Sequence, residues 1–244
     1  MIVAIHQPGY LPWLPFLEKA LRADVFVFLD DVQFEKNSEQ NRNRIKTSQG
    51  ARWLTVPVVR SLQTRIPAVA IAADGHRWRK KHRSAIEQNY GRAPYFDEIA
   101  PEIFALLSQD WERLLDLNLA IDSLFFRFVG PIGATVRSSE LEAFGVKSDR
   151  ILAICRELGA TVYLSGPAGI RYLDLPAFAA SGIEVKVQNY RHIEYPQLYP
   201  EIGFIPRLSA IDLLCNVGKG EAARQLILDG GSWVKPEALV AAIE

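Results

Sequence analysis

The sequence predicts an α/β protein built around a parallel sheet, and three observations favour this class. Two short apolar runs at 2–5 and 25–29 are rich in β-branched and aromatic residues, which is typical of strands buried on both faces. A glycine-containing loop and an amphipathic segment at 13–22 separate them, as in a βαβ unit. The same alternation returns after residue 149. We therefore expect a parallel, Rossmann-like core, and the length of 244 residues suits a single domain.

The first half of the chain carries the clearest pattern. A helix is predicted over 13–22 because its leucines fall on one stripe and Pro15 is tolerated in a first turn. The strand at 25–29 ends at Asp30 and Asp31, where a long polar stretch begins that reaches residue 46. A polar connection of this length inside a compact domain is usually functional or disordered.

The remaining elements form a helical insert at about 77–129, a second α/β part, and a helical C-terminal part at about 207–244. Further strands are predicted at 53–59, 66–71, 134–136, 161–164 and 183–187. Further helices are predicted at 77–90, 96–108, 111–129, 149–158, 175–180, 208–216, 219–229 and 236–243. We find no internal repeat and no low-complexity linker.

Charge and composition exclude several classes of protein. Lysine and arginine number 28 and acidic residues also 28, so the chain lacks the basic excess of a general nucleic-acid binder. No apolar run approaches the roughly 18 residues of a membrane span, and we expect a cytoplasmic protein. Cys155 and Cys215 lie in apolar helical stretches, which indicates buried free thiols and no zinc site.

The strongest candidate for a functional site is the loop that follows the first strand. Ligands of parallel sheets sit beyond the carboxyl ends of strands, often at a helix N-terminus. His6, Gln7 and Tyr10 supply titratable and hydrogen-bonding groups there, and Gly9 permits close approach or positive φ. The alternative is a rigid turn in which His6 only bonds to a neighbouring loop.

Several motifs resemble those of a known family. They are Ile-His-Gln-Pro-Gly-Tyr-Leu-Pro-Trp at 5–13, Ala-Asp-Val-Phe-Val-Phe-Leu-Asp-Asp-Val-Gln-Phe at 23–34, Asn-Arg-Asn-Arg-Ile-Lys at 41–46, Lys81-His82, Tyr-Leu-Ser-Gly-Pro-Ala at 163–168, and Gly-Phe-Ile-Pro-Arg-Leu-Ser-Ala-Ile-Asp-Leu-Leu at 203–214. Together they look like the WbqC-like family and cover nearly the whole chain. The resemblance implies a bacterial protein associated with biosynthesis of O-antigen, the lipopolysaccharide side chain, or of another surface polysaccharide.

A weaker resemblance is to nucleotidylyltransferase-like folds, including pantothenate synthetase. Those proteins place an HxGH-type motif after the first strand to hold a triphosphate, whereas Gln7-Pro8-Gly9-Tyr10 keeps only the glycine. Ser165 and Gly166 begin a run that echoes their second phosphate motif. The likeness supports the fold more than it supports ATP binding in the usual manner, because fold does not carry function by itself.

Two further groups of side chains are candidates. The polar stretch is predicted to turn amides and charges into the cleft of His6, although it could instead be a solvated loop. Its candidates are Asp30, Gln33, Asn41, Arg42 and Lys46. On the basic helix at 77–90, Lys81 and His82 could meet a diphosphate, whereas a solvated face around a packed tryptophan is the plainer interpretation.

The leading hypothesis is a transferase or ligase acting on a nucleotide-linked or phosphorylated amino sugar, with acyl or aminoacyl transfer as one candidate reaction. His6 would be the general acid/base, in one pocket with Asp30 and the cations at 41–46, and His82 is a further catalytic candidate. ATP or a nucleotide sugar is the candidate cofactor, with Mg²⁺ bound through substrate phosphates. A noncatalytic scaffold of polysaccharide assembly and a nucleic-acid-modifying factor are the alternatives.

Overall fold

The computed structural model describes residues 1–59, 64–74 and 76–240. Its strands are β1 (Ile2–His6), β2 (Val25–Phe28), β3 (Arg42–Thr47), β4 (Gly50–Thr55), β5 (Val58–Val59), β6 (Ala70–Ile71), β7 (Ala134–Arg137), β8 (Val162–Ser165), β9 (Glu184–Tyr190) and β10 (Gly231–Val234). Its helices are α1 (Leu14–Arg22), α2 (Arg77–Tyr90), α3 (Phe96–Leu107), α4 (Leu114–Val129), α5 (Lys147–Glu157), α6 (Leu175–Ala180), α7 (Ile211–Val217), α8 (Glu221–Gly230) and α9 (Pro236–Val240).

A six-stranded sheet in the order β10-β9-β8-β1-β2-β7 forms the centre of the protein. All neighbouring strands are parallel except β10, which pairs antiparallel with β9 at the edge. The α/β class and the parallel sheet are therefore confirmed. Successive crossovers move from β1 to β2 and β7 on one side, and the chain then returns to place β8 and β9 on the other. The order of strands thus reverses between β1 and β8.

The sheet is buried on both faces, as the apolar runs predicted. Alternate residues of β1 and β2 point to opposite sides: Ala4 and Phe26 belong to one hydrophobic cluster, and Val3 and Val27 to the other. The first cluster includes α1 and the helical insert, and the second includes α5 and α6. Side chains on both faces hold β1 in place, so the groups at its carboxyl end have a rigid support.

Three predicted elements were wrong in detail. Much of the polar stretch is ordered, because β3 pairs antiparallel with β4 to form a hairpin. The strand predicted at 53–59 is divided between β4 and β5, and the segment at 66–71 is a 3-10 turn (Ile66–Ala68) followed by β6. The edge strand β10 was not predicted at all, and residues 241–243 of the last predicted helix lie outside the described residues.

Within residues 1–59, 64–74 and 76–240, no helix has the length and apolarity that crossing a membrane requires.

Candidate active site

The loop that follows β1 is held firmly to the helical insert. The Tyr10 hydroxyl lies 2.7 Å from His82 Nδ1, and the Gly9 amide donates to Asp122 Oδ2 at 3.2 Å. Gly9 does not adopt a positive φ, and a Cβ there would make an ordinary contact of 3.6 Å with the Glu39 carbonyl. The left-handed residue of the loop is instead Leu11, with φ of 50°. The positive φ expected at Gly9 as one alternative is therefore wrong, and the loop is partly the rigid turn of the alternative interpretation.

His6 stands at the carboxyl end of β1, half-buried, with its ring edge against Phe16 at a centroid distance of 5.1 Å. Its Nδ1 lies 2.9 Å from the Gln7 carbonyl oxygen, which can only accept, so Nδ1 carries the proton and Nε2 keeps a free lone pair. Burial, helped by the nearby Lys19 cation, lowers the pKa of His6 to about 3. The ring is therefore neutral at physiological pH.

Lys19 on α1 is the most perturbed cation near this loop. Its side chain is buried, with 2% relative exposure, and Nζ donates to the Ile5 carbonyl at 2.8 Å. Burial lowers the pKa of Lys19 to about 7, although the neighbouring Glu18 opposes the shift. An amine with such a pKa is partly unprotonated at neutral pH, and it can then act as a base or nucleophile.

Glu18 is also fully buried, and its carboxylate accepts three hydrogen bonds. It accepts hydrogen bonds from Gln188 Nε2 at 2.6 Å, from the Trp233 indole at 2.8 Å and from Arg22 Nε at 3.1 Å. The first two donors belong to β9 and the edge strand β10. These bonds fix α1 against the sheet and thereby hold Lys19 in position.

His6 and Lys19 line one cavity of about 590 Å³ beyond the carboxyl ends of β1, β8 and β9. We call it the switch-point cavity, because it lies where the strand order reverses. Its lining includes His6, Trp13, Phe16, Lys19, Gly166, Gln188, Asn189, Tyr190, His192 and Arg207. The volume is typical of a small-molecule site, and crevices at such reversals are where open α/β sheets bind ligands.

The outer part of the switch-point cavity is cationic and aromatic. Trp13 and His192 are 6.3 Å apart between ring centroids. Burial and then the charges of Arg207 and Arg44 lower the pKa of His192 to about 4. The hydroxyl oxygen of Tyr190 is buried and has no hydrogen-bond partner among the described residues. Arg207 and Lys19 offer positive charge, and the rings offer stacking surfaces, so the cavity suits an anionic ligand that carries a ring.

The structure does not bring Asp30 to this cavity. Its carboxylate is fully buried and bonds to Arg137 Nε at 2.7 Å, to Ser138 Oγ at 3.1 Å and to the Ser139 hydroxyl at 2.8 Å. Burial alone would raise the pKa of Asp30, but the hydrogen bonds from Arg137 and Ser139 outweigh it and hold the pKa below its ordinary value. This network links the ends of β2 and β7, which is a structural role.

The hairpin candidates Asn41, Arg42 and Lys46 do not share a pocket with His6 as predicted, although Asn43 of β3 lines a small cavity with it. The Asn41 amide donates to the Val56 carbonyl at 3.1 Å, and the Arg42 guanidinium stacks on Trp53 at 4.1 Å. Lys46 is buried and donates to the Gly203 carbonyl at 2.7 Å. Burial lowers the pKa of Lys46, against the opposing charge of Asp212. These contacts connect the hairpin to its neighbours.

The other candidates divide between the core, the surface and the cavity. His82 is buried against Trp78, and burial lowers its pKa to about 4, while Lys81 beside it is exposed. Gln33 is exposed, and with Gln7 it lines a different groove. Ser165 is buried at the end of β8, with its hydroxyl donating to the carbonyl of Gly166 at 3.0 Å. Of these candidates, Gly166 joins His6 at the switch-point cavity.

Lys19, Gln188, Tyr190 and Arg207 were missed by the site prediction. For Lys19 a signal was present. It follows Glu18 in a short helix whose other residues from 14 to 20 are apolar, and every residue of that run is buried. A pair of charges inside an apolar stripe indicates either an ion pair or a functional group. The other three come from distant segments, and only the fold brings them together.

Comparison with known proteins identifies the family of this chain. A model of the WbqC-like protein family matches residues 7–224. The chain belongs to the WbqC-like protein family. This WbqC-like protein is also 35% identical over 218 residues to "Uncharacterized protein Rv1507c" of Mycobacterium tuberculosis (strain ATCC 25618 / H37Rv), an alignment that covers 88% of this chain and 94% of the relative. No solved structure matches it.

The matched region of this WbqC-like protein contains most of the site. Residues 7–224 include Lys19, Gly166, Gln188, Tyr190 and Arg207, and His6 lies one residue before the matched range. The family model therefore covers residues that line the switch-point cavity from Lys19 to Arg207. Among the described residues, no cluster of three or more His, Cys, Asp or Glu side chains could hold a metal ion.

Proposed function

We propose that this WbqC-like protein is a transferase of surface-polysaccharide biosynthesis that forms an amide on an amino sugar, held in phosphorylated or nucleotide-linked form. The observation that carries the proposal is the pair His6 and Lys19, which line one cavity beyond the carboxyl ends of the parallel strands. One group is a neutral imidazole and the other an amine whose pKa burial lowers to about 7. The polysaccharide setting follows from what the family resemblance implies.

The strand order supports a Rossmann-like mode of ligand binding. Counted along the parallel strands only, β7-β2-β1-β8-β9 corresponds to the order 3-2-1-4-5, which doubly wound nucleotide-binding sheets share. In such sheets, the ligand lies at the reversal between the first and fourth strands, and here that is the switch-point cavity. Arg207 would pair with a phosphate of the substrate, and Trp13 would stack on its sugar ring.

Amide formation needs a base for the attacking amine. In the proposed step, the sugar amine nitrogen attacks the carbonyl carbon of an acyl donor and a C–N bond forms. The bond between that carbon and the leaving group breaks, and the leaving group takes the electron pair. Unprotonated Lys19 accepts the proton of the amine, a task for which a pKa of about 7 is well matched. His6 Nε2 accepts a hydrogen bond from the sugar and orients it. Any Mg²⁺ would be bound through substrate phosphates.

The proposal predicts that phosphorylated sugars stabilise the protein against heat. A ligand that binds the folded state at 100 times its dissociation constant adds about 2.7 kcal/mol, which gives a clear rise in melting temperature. The measurement is a thermal-shift series with sugar phosphates and nucleotide sugars, with and without Mg²⁺. We expect a rise with at least one amino-sugar compound.

His6→Ala is the matched variant for this series. It should melt near the wild-type temperature without ligand, because His6 is half-buried and the one hydrogen bond of its ring among the described residues is to the adjacent Gln7 carbonyl. With ligand it should lose the rise in melting temperature and, in an amide-forming assay, turnover. The absence of a shift with every phosphorylated or nucleotide-linked sugar would count against the proposal. Unfolding of His6→Ala would assign the residue a structural role, and binding without turnover would favour a noncatalytic scaffold.

A further inference from the structure

A second groove lies on the other side of the loop that follows β1. Its volume is about 900 Å³, and it opens beyond the carboxyl end of β2. We call it the β2 groove. Its lining includes Gln7, Asp31, Arg65, Phe144, Lys147, Arg150 and Tyr172. Phe144 belongs to the short segment that leads into α5, and Lys147 is the first residue of that helix. The proposed function makes no use of this groove.

The β2 groove concentrates apolar side chains that face solvent. Among the described residues, eight large hydrophobic side chains are exposed, and three of them line this groove: Phe144 at 81%, Val146 at 73% and Tyr172 at 45%. Water solvates aromatic faces poorly, so folding gains nothing from leaving Phe144 in solvent. An aromatic pair that lines a concave surface is instead suited to stack on a flat ring of a ligand.

The charges of the groove favour an anion. Three cations, Arg65, Lys147 and Arg150, line it against two carboxylates, Asp31 and Glu35. Asp31 is already neutralised, because Arg150 Nη2 donates to its Oδ2 at 2.6 Å. Arg65 and Lys147 form no ion pair within the part of the chain that the structure describes. Two cations next to an exposed aromatic pair therefore remain available to a ligand.

The β2 groove and the switch-point cavity are neighbours. A small cavity of about 70 Å³ is lined by both His6 and Gln7. It shares His6, Trp13 and Phe16 with the switch-point cavity, and Gln7 and Glu35 with the β2 groove. The loop that carries His6 and Gln7 therefore borders both sites.

We propose that the β2 groove binds a nucleoside phosphate, with the base against Phe144 and Tyr172 and the phosphates against Arg65 and Lys147. We assign this nucleoside phosphate to the second substrate, the acyl donor that meets the amino sugar at His6. That assignment rests on the function proposed above. The binding site itself does not, since it follows from the exposed rings and the available cations of the groove.

The test is titration of the full chain with ADP by calorimetry, in the wild type and five variants. Loss of one base-stacking contact weakens binding by about 1–3 kcal/mol, so Phe144→Ala should raise the dissociation constant about 5- to 150-fold. Phe144→Trp should retain affinity, and Arg65→Ala should weaken both ADP and inorganic phosphate. Ile202→Ala removes an exposed apolar side chain that does not line the groove, and it should leave binding unchanged.

Lys19→Met separates this inference from the proposed function. ADP binding should survive Lys19→Met, while binding of a sugar phosphate should not. Failure of ADP to bind, ADP affinity unaffected by Phe144→Ala and Arg65→Ala, or equal affinity for ADP and inorganic phosphate would each overturn the nucleoside site. If ADP binds in the β2 groove but no sugar phosphate binds in any variant, the proposed function fails and the groove assignment remains.

Discussion

Lys19→Met is expected to make the protein more stable at pH 7 and to abolish the proposed amide-forming activity. The pKa of Lys19 falls from its ordinary 10.5 to about 7 on folding because the amine is buried. Between these two values the unfolded chain binds a proton that the folded protein lacks, so stability rises with pH across this window and is lowest below it. The wild type therefore carries a cost at neutral pH of about 5 kcal/mol, at 1.36 kcal/mol for each pH unit.

Methionine removes this cost but also removes a hydrogen bond. The Ile5 carbonyl would lose its donor, and Glu18 would lose a neighbouring cation. Together these losses lower the free energy of unfolding by about 2 kcal/mol. We expect a net gain of about 3 kcal/mol in the free energy of unfolding at pH 7. Urea unfolding at several pH values tests this, and the difference between the variant and the wild type should shrink as the pH rises from 7 towards 10.

Lys81→Met is the matched control, because Lys81 is exposed on α2 and lines none of the switch-point cavity. It should change neither the stability nor the turnover. A Lys19→Met protein that is less stable than the wild type at pH 7 would contradict the account. So would a variant that still forms the amide at the wild-type rate.

Asp30→Ala is expected to have the largest destabilising effect of the changes considered. The carboxylate is fully buried and accepts hydrogen bonds from Arg137, Ser138 and Ser139. Removing one partner of a buried charge pair lowers the free energy of unfolding by about 3–5 kcal/mol. Because Arg137 is partly exposed, we expect a loss of about 3 kcal/mol. The folded-state pKa of Asp30 is lowered, so its stabilisation is present above pH 3.8 and is lost as the pH falls through the folded-state value.

Asp110→Ala provides the comparison at the surface. Asp110 pairs with Arg79 at 2.8 Å, but its side chain is 85% exposed, and the loss of such a pair should leave the unfolding midpoint nearly unchanged. Chemical unfolding at pH 7 and at a pH well below 3.8 measures both variants. Equal midpoints for Asp30→Ala and the wild type at pH 7 would show that the buried network adds no stability. If the Asp30→Ala variant folds normally but loses turnover, Asp30 has the catalytic role that the sequence suggested.

The sequence predicted the central elements well because burial on both faces leaves a simple pattern. The runs that became β1 and β2 are short, apolar and β-branched, and the loop between them was located at the strand end that lines the switch-point cavity. The hairpin β3–β4 was missed because its buried residues include Asn43 and Lys46, whose polar groups are satisfied by hydrogen bonds. The pattern of polar and apolar residues along a sequence does not reveal such hydrogen-bond partners.

The site was predicted less completely, for a related reason. His6, Gly166 and their place at the strand ends followed from local sequence, but Gln188, Tyr190 and Arg207 come from segments whose position depends on the whole sheet. Asp30 follows a strand of the same sheet, yet its side chain turns to Arg137 and Ser139. Sequence locates the end of a strand, but the direction of a single side chain beyond that end depends on tertiary partners.

The most direct test of the account is the pKa of Lys19 in solution, measured by NMR of lysine labelled with ¹³C at the ε carbon. One lysine resonance should titrate near pH 7, vanish in Lys19→Met and shift when an amino-sugar phosphate is added. The His6→Ala spectrum should keep that resonance but lose its response to the ligand. A Lys19 amine that titrates near 10.5, with no change on adding any phosphorylated sugar, would contradict the assignment of the switch-point cavity as the active site.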